Sequence, residues 1–265
     1  MKLNLVTART GTLWVKLGMR TFFKQPLALA GLFFMFMAMM TITSQIPYIG
    51  FVLAMALIPA ATLGLMAGTL EAIEGKFPMP LILLTAFRGD KQKTRAMLLL
   101  GALYTLGFLA AMGASWLVDG GDFARVYLGG ATPSREMVME SDFQAAMWVF
   151  LACHLPLSLT FWHAPALVYW HDLPPVKSLF FSLVACWRNF WAFTVFGLMW
   201  LAVLVLMVVS ITTLTALLGS PGVAGDLLFP ALMLMASMFF TSLYFTFRDS
   251  FEFSTEELSE EESAP

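Results

Sequence analysis

A chain of 265 residues that is 59% hydrophobic and only 12% charged, with mean hydropathy +0.80, carries more apolar surface than a water-soluble core of that size can hide. Its formal charge of -2 gives no bulk attraction to nucleic acid, and no Lys/Arg stripe is interleaved with stacking aromatics on a polar surface. These bounds point to an all-α, polytopic membrane protein and away from nucleic acid as a partner.

The N-terminal stretch spreads Lys2, Arg9, Lys16, Arg20 and Lys24 over more than twenty positions, and the apolar run after it ends in Thr-Ser-Gln without a small-x-small site. The first span therefore reads as a retained anchor, and the N-terminal stretch does not read as a cleavable signal. Within it, residues 10–24 place Trp14, Val15, Gly18, Met19 and Phe22 on one side at helical spacing and Lys16, Arg20 and Lys24 on another. That pattern predicts an amphipathic helix lying at the anionic inner leaflet.

Six apolar runs follow, at about 26–45, 51–70, 97–118, 144–169, 190–218 and 227–247, each near the ~20 residues that a hydrocarbon core of ~30 Å requires. The first two are joined by Gln45–Gly50, where Pro47 and Gly50 mark a tight turn. After the second run, Pro78-Met-Pro80 opens a short helix to Phe87, and a basic turn from Arg88 to Arg95 carries Lys91 and Lys93. A loop near 119–142 joins the third and fourth runs. After the fourth, Asp172-Leu-Pro-Pro175 gives helix-start signals for a segment carrying Lys177 and Arg188. A short amphipathic helix thus precedes each odd-numbered span, a layout that suggests a threefold repeat.

Of the 15 Lys and Arg residues, 13 fall on one set of connections and only Arg125 and Arg135 on the other. Loops rich in Lys and Arg stay on the cytoplasmic side, so both termini are expected there, in a bacterial inner membrane. Trp116 and Trp148 flank the outer loop, while Trp162, Trp170, Trp187 and Trp191 gather near the inner surface, as interfacial Trp does. Residues 1–248 read as one transmembrane domain and 249–265 as a disordered acidic cytoplasmic tail.

Chemistry-bearing residues are sparse. No Asp, Glu, Lys or Arg lies deep in a run, which argues against a proton relay. His154, His163 and His171 are nine and eight residues apart and do not share a helical face, so no metal is expected. Cys153 and Cys186 fall on a span and on the inner side, and are read as buried small hydrophobes. The acids of the outer loop match no calcium loop, and no catalytic triad or phosphate-binding glycine loop is present. No enzyme activity and no cofactor are expected.

Two functional readings remain. The first is a non-enzymatic membrane component that organises anionic lipid, or a membrane or cytoplasmic protein partner, through Lys16, Arg20, Lys24, Arg88, Lys91, Lys93, Arg95, Lys177 and Arg188. The second is a small permease or exporter of an apolar or lipid-like solute. Its cavity would lie beside the helix-interrupting Pro59, Pro156 and Pro165 and the small Gly64.

Three segments, Phe22–Phe34, Pro174–Asn189 and Tyr244–Asp249, resemble a family of uncharacterised proteobacterial inner-membrane proteins. The Pro-then-helix-then-Arg layout is more remotely similar to the membrane domain of bacterial glycerophosphodiester phosphodiesterases, without their catalytic domain. The resemblance implies the fold and the location and carries no activity with it.

Overall fold

The computed structural model describes residues 2–252, so the segment 253–265, expected to be a disordered tail, lies outside the described residues. Eleven α-helices are formed among those residues: α1 (Thr10–Lys24), α2 (Pro26–Ser44), α3 (Gly50–Ile73), α4 (Lys91–Asp119), α5 (Asp122–Tyr127), α6 (Arg135–Met139), α7 (Ser141–Phe161), α8 (Ala164–Trp170), α9 (Pro175–Arg188), α10 (Phe190–Leu217) and α11 (Ala224–Ser250). Six candidate spans are long and apolar enough to cross a membrane: α2, α3, α4, α7 with α8, α10 and α11. Each falls on an apolar run of the sequence, because ~20 residues without water must satisfy their backbone internally and a helix does so locally. Helical segments also precede the first, third and fifth spans: α1, a 3-10 helix over Pro80–Phe87, and α9.

The chain divides into two compact units, where the sequence suggested one domain. The first contains α1, α2 as far as Thr41, α3 from Ala60 onward, the 3-10 helix Pro80–Phe87, α9 from Val184, α10 and α11. Its core is aromatic and tightly layered: Phe33, Phe36 and Phe240 meet with ring centroids 5.5–6.1 Å apart above Ala61, Leu65 and Leu83. Gly64 lets the 3-10 helix approach, since a Cβ there would lie 2.6 Å from the Cα of Leu83. The first unit also holds the short antiparallel pair of β1 (Lys2–Leu3) and β2 (Phe251–Glu252), with Leu3 opposite Phe251. The acidic segment read as a tail from 249 therefore begins with folded residues. Helix α11 runs on through Asp249 to Ser250 because the N-terminal segment supplies hydrogen-bonding partners that an isolated acidic run lacks.

The second unit contains Ile42–Pro59 and Asp90–Leu183. Helix α4 packs along α7, and Gly101 brings its backbone against the carbonyl of Ala56. Phe108, Phe123, Phe143 and Phe150 form its core. The connection between the third and fourth spans is thus largely folded: Asp119 accepts from the N–H groups of Gly121 (2.8 Å) and Phe123 (2.6 Å), which starts α5 and seats Phe123 in that cluster.

The fourth span differs from its expected continuous form. It breaks at Trp162–His163, just before Pro165, which has no N–H to continue the ladder.

Candidate functional site

The basic residues are best taken by the helix that carries each. Helix α1 buries Gly11, Trp14, Val15, Gly18, Thr21 and Phe22 against α10 and α11. Trp14 is fully buried, with its ring 5.2 Å from that of Phe193 and 6.0 Å from that of Phe196. Gly18 is required by contact, since a Cβ there would come 2.5 Å from the Cβ of Ser242. The apolar face expected to lie in the bilayer surface is instead occupied by protein. Lys16, Arg20 and Lys24, four residues apart, remain exposed on the opposite face.

A polar network holds α1 there. The Trp14 indole N–H donates to Oδ2 of Asp249 (3.0 Å), whose Oδ1 accepts from Nε of Arg248 (2.8 Å). Asn4 donates through Nδ2 to the Asp249 carbonyl (3.0 Å), and the fully desolvated amide of Asn189 accepts from Val6 N–H (2.9 Å) and donates to the Asn4 carbonyl (3.0 Å). Asn4, Asn189 and Asp249 were not singled out from the sequence, where an isolated Asn or Asp gives no sign of its partner. Just before α1, Arg9 joins Lys16, Thr7, Thr10, Thr12 and Leu13 around an open concavity of about 360 Å³. Arg9 is the one basic addition that the structure makes to the sequence-derived set.

Helix α4 begins earlier than its apolar run because Asp90 caps it, accepting from Lys93 N–H at 2.7 Å. Lys91, Lys93 and Arg95 therefore stand on a regular helical turn. Lys91 and Arg95 are exposed. Lys93 is not available in the same way: its ammonium pairs with Asp172 (2.9 Å), donates to the Tyr169 carbonyl (2.9 Å) and lies 5.2 Å from the Tyr169 ring. The reason is local, since Asp172 takes a left-handed backbone (φ 52°) at the end of α8 and brings its carboxylate to Lys93 beside a cavity of about 150 Å³. Arg88 follows the 3-10 helix as its exposed C-cap.

Helix α9 carries Lys177 and Arg188, both exposed. Its buried face is polar: Ser178 and Ser182 are fully buried. The Ser182 hydroxyl accepts from the His163 N–H (2.9 Å) and donates to the Leu159 carbonyl (2.9 Å). These are the two groups that an uninterrupted helix would join to each other, so the hydroxyl is spliced into the ladder at the break. Beside it, Cys186 is buried, and desolvation pushes its thiol pKa up, whereas Cys153 is exposed on α7.

The residues read as a solute cavity have separate surroundings. Pro59 and Pro165 are buried, Gly64 is filled by Leu83, and Pro156 is exposed on α7. His154 stacks on Phe150 at 5.1 Å, and His163 is buried at the break. Among the described residues no three His, Cys, Asp or Glu side chains gather to hold a metal ion. Among the described residues, Lys16, Arg20, Lys24, Arg88, Lys91, Arg95, Lys177 and Arg188 form no ion pair.

Six apolar helices, joined by basic connections, define a multi-pass membrane protein. The chain is 38% identical over 254 residues to a probable inner membrane protein of Burkholderia thailandensis, covering 95% of this chain and 94% of the relative, and it belongs to that family of inner-membrane proteins. No family model matches the chain, and no solved structure matches it.

Proposed function

We propose that this protein is a non-enzymatic inner-membrane component that organises anionic lipid through a basic cytoplasmic face, with both termini on that side. The observation that carries the reading is the set of eight exposed cations without an ion pair among the described residues, all on connections that the positive-inside rule assigns to the cytoplasm. Each Lys or Arg near an anionic surface contributes about 1 kcal/mol of attraction, so even a few acting together select anionic from neutral lipid. Helical segments α1 and α9, the start of α4 and the end of the 3-10 helix hold these cations, which suits a surface that recognises headgroups by charge. Lys93 is left out of the set, since Asp172 already compensates it. A permease has less support, because Gly64 is filled and Pro156 faces outward.

Native mass spectrometry of the detergent-purified full chain tests the reading. Retained phosphatidylglycerol or cardiolipin in preference to phosphatidylcholine is the expected result. A lipid-free monomer, or a stoichiometric protein subunit bound in place of lipid, overturns it.

A further inference from the structure

We infer that α9 is an inverted amphipathic helix seated in the inner-leaflet interface, with its apolar stripe in the acyl layer and Lys177 and Arg188 on lipid phosphates. The inference rests on the lipid reading above and names the element that carries it out.

The helix is turned opposite to the usual sense of a surface helix. Its serines and small residues, Ser178, Ser182 and Ala185, are fully buried, while Val176 (69% exposed), Phe180 (62%), Leu183 (36%) and Trp187 (73%) face outward. The spacing of 4, 3 and 4 residues keeps those four within about 60° of one another on the helix, and the buried face lies roughly opposite. Leaving four large apolar side chains in water would forfeit about 1.5–3 kcal/mol each relative to burial, so the stripe calls for an apolar neighbour.

Three observations make that neighbour lipid. Exposed apolar side chains follow directly downstream of the stripe: Trp191 (70% exposed) and then Leu198, Leu201 and Val205 of α10, a candidate membrane span. A stripe that leads straight into a span is next to the solvent of that span. Second, Lys177 and Arg188 both fall on one edge of the stripe, roughly 100° from its centre, so a single roll of the helix sinks the stripe and raises both cations to the headgroups. Third, no Asp or Glu occurs between Leu173 and Gly225, so nothing in the segment itself compensates that edge, and an anionic phosphate does. Trp187 and Trp191, large and amphipathic, flank the junction between α9 and the span α10, where such side chains would anchor.

Full-length protein with Cys153→Ser and Cys186→Ala, reconstituted in phosphatidylglycerol-containing vesicles, would carry one nitroxide at a time on Phe180→Cys, Trp187→Cys or, as an aqueous reference, Thr132→Cys. Labels at 180 and 187 should collide with oxygen several-fold more than with a nickel chelate, with the reverse at 132. Equal access of the chelate at all three sites, or shielding from both colliders at 180 and 187 by a protein partner, overturns the inference. In the second arm, a Lys177→Gln/Arg188→Gln protein should lose about 25-fold in retained phosphatidylglycerol, about fivefold for each charge. Unchanged retention beside a lipid-binding wild type sinks this inference alone; failure of the wild type to retain anionic lipid sinks the broader reading with it.

Discussion

Helices α1 and α9 look alike as sequences: each is short, basic, apolar on one side and placed directly before a span. They are turned in opposite senses. In α1 the apolar face, centred on Trp14, is buried on α10 and α11, and in α9 the buried face is built from Ser178, Ser182 and Ala185. The difference follows from what each helix is packed against. The seat of α1 offers rings and a close-approach surface for Gly11 and Gly18, where apolar contact is the available gain. The seat of α9 offers a broken helix whose His163 N–H and Leu159 carbonyl are no longer joined to each other, and the Ser182 hydroxyl bridges them. Amphipathicity in a lipid-embedded protein therefore fixes an axis and leaves its sign to the neighbour.

Substitutions on matching faces of the two helices sharpen this contrast. Trp14→Ala removes a fully buried ring and leaves Asp249 without its indole donor, so it should cost about 3–5 kcal/mol or more in thermal unfolding of the detergent-solubilised protein. A loss below about 1 kcal/mol would mean that α1 is not seated as described. Ser182→Ala, on the buried face of α9, removes the hydroxyl that accepts from the His163 N–H and donates to the Leu159 carbonyl and should cost roughly 1–3 kcal/mol, while Ser182→Thr, which keeps the hydroxyl, should recover part of it. Phe180→Ser, on the outward face of α9, should leave stability in detergent within about 0.5 kcal/mol of the parent, although the residue lost is as apolar as those in the core. If Phe180→Ser proves as costly as Ser182→Ala, the two faces of α9 have been assigned the wrong way round.

The spans were legible because twenty apolar residues in a row leave a chain few alternatives, and the positions of α1 and α9 were legible from 3.6-residue periodicity and Pro-rich starts. Their orientation was not. Periodicity registers that two faces differ without recording which meets protein, and so the face that carries Trp14 is expected at the bilayer surface. Lys93 escaped for another reason: nothing in the sequence announces that Asp172 will adopt a left-handed backbone and reach it across 79 positions. The cap that starts α4 at Lys91 was also hidden, since Asp90 in a charged stretch looks like any solvated acid. The eight remaining cations were found from sequence because exposure is the default state of a charge.

The seat of α1 has a bearing on the order in which the protein can assemble. Helix α1 leaves the ribosome well before the residues that receive it, Ala192, Phe196, Ser242 and Asp249. At about 5–20 residues per second, the wait between them is roughly 10 to 50 s. Throughout that interval the Trp14 face has no seat of its own and the bilayer surface is the nearest apolar refuge. Closure of the Trp14 face on its seat is therefore a step that waits for Asp249.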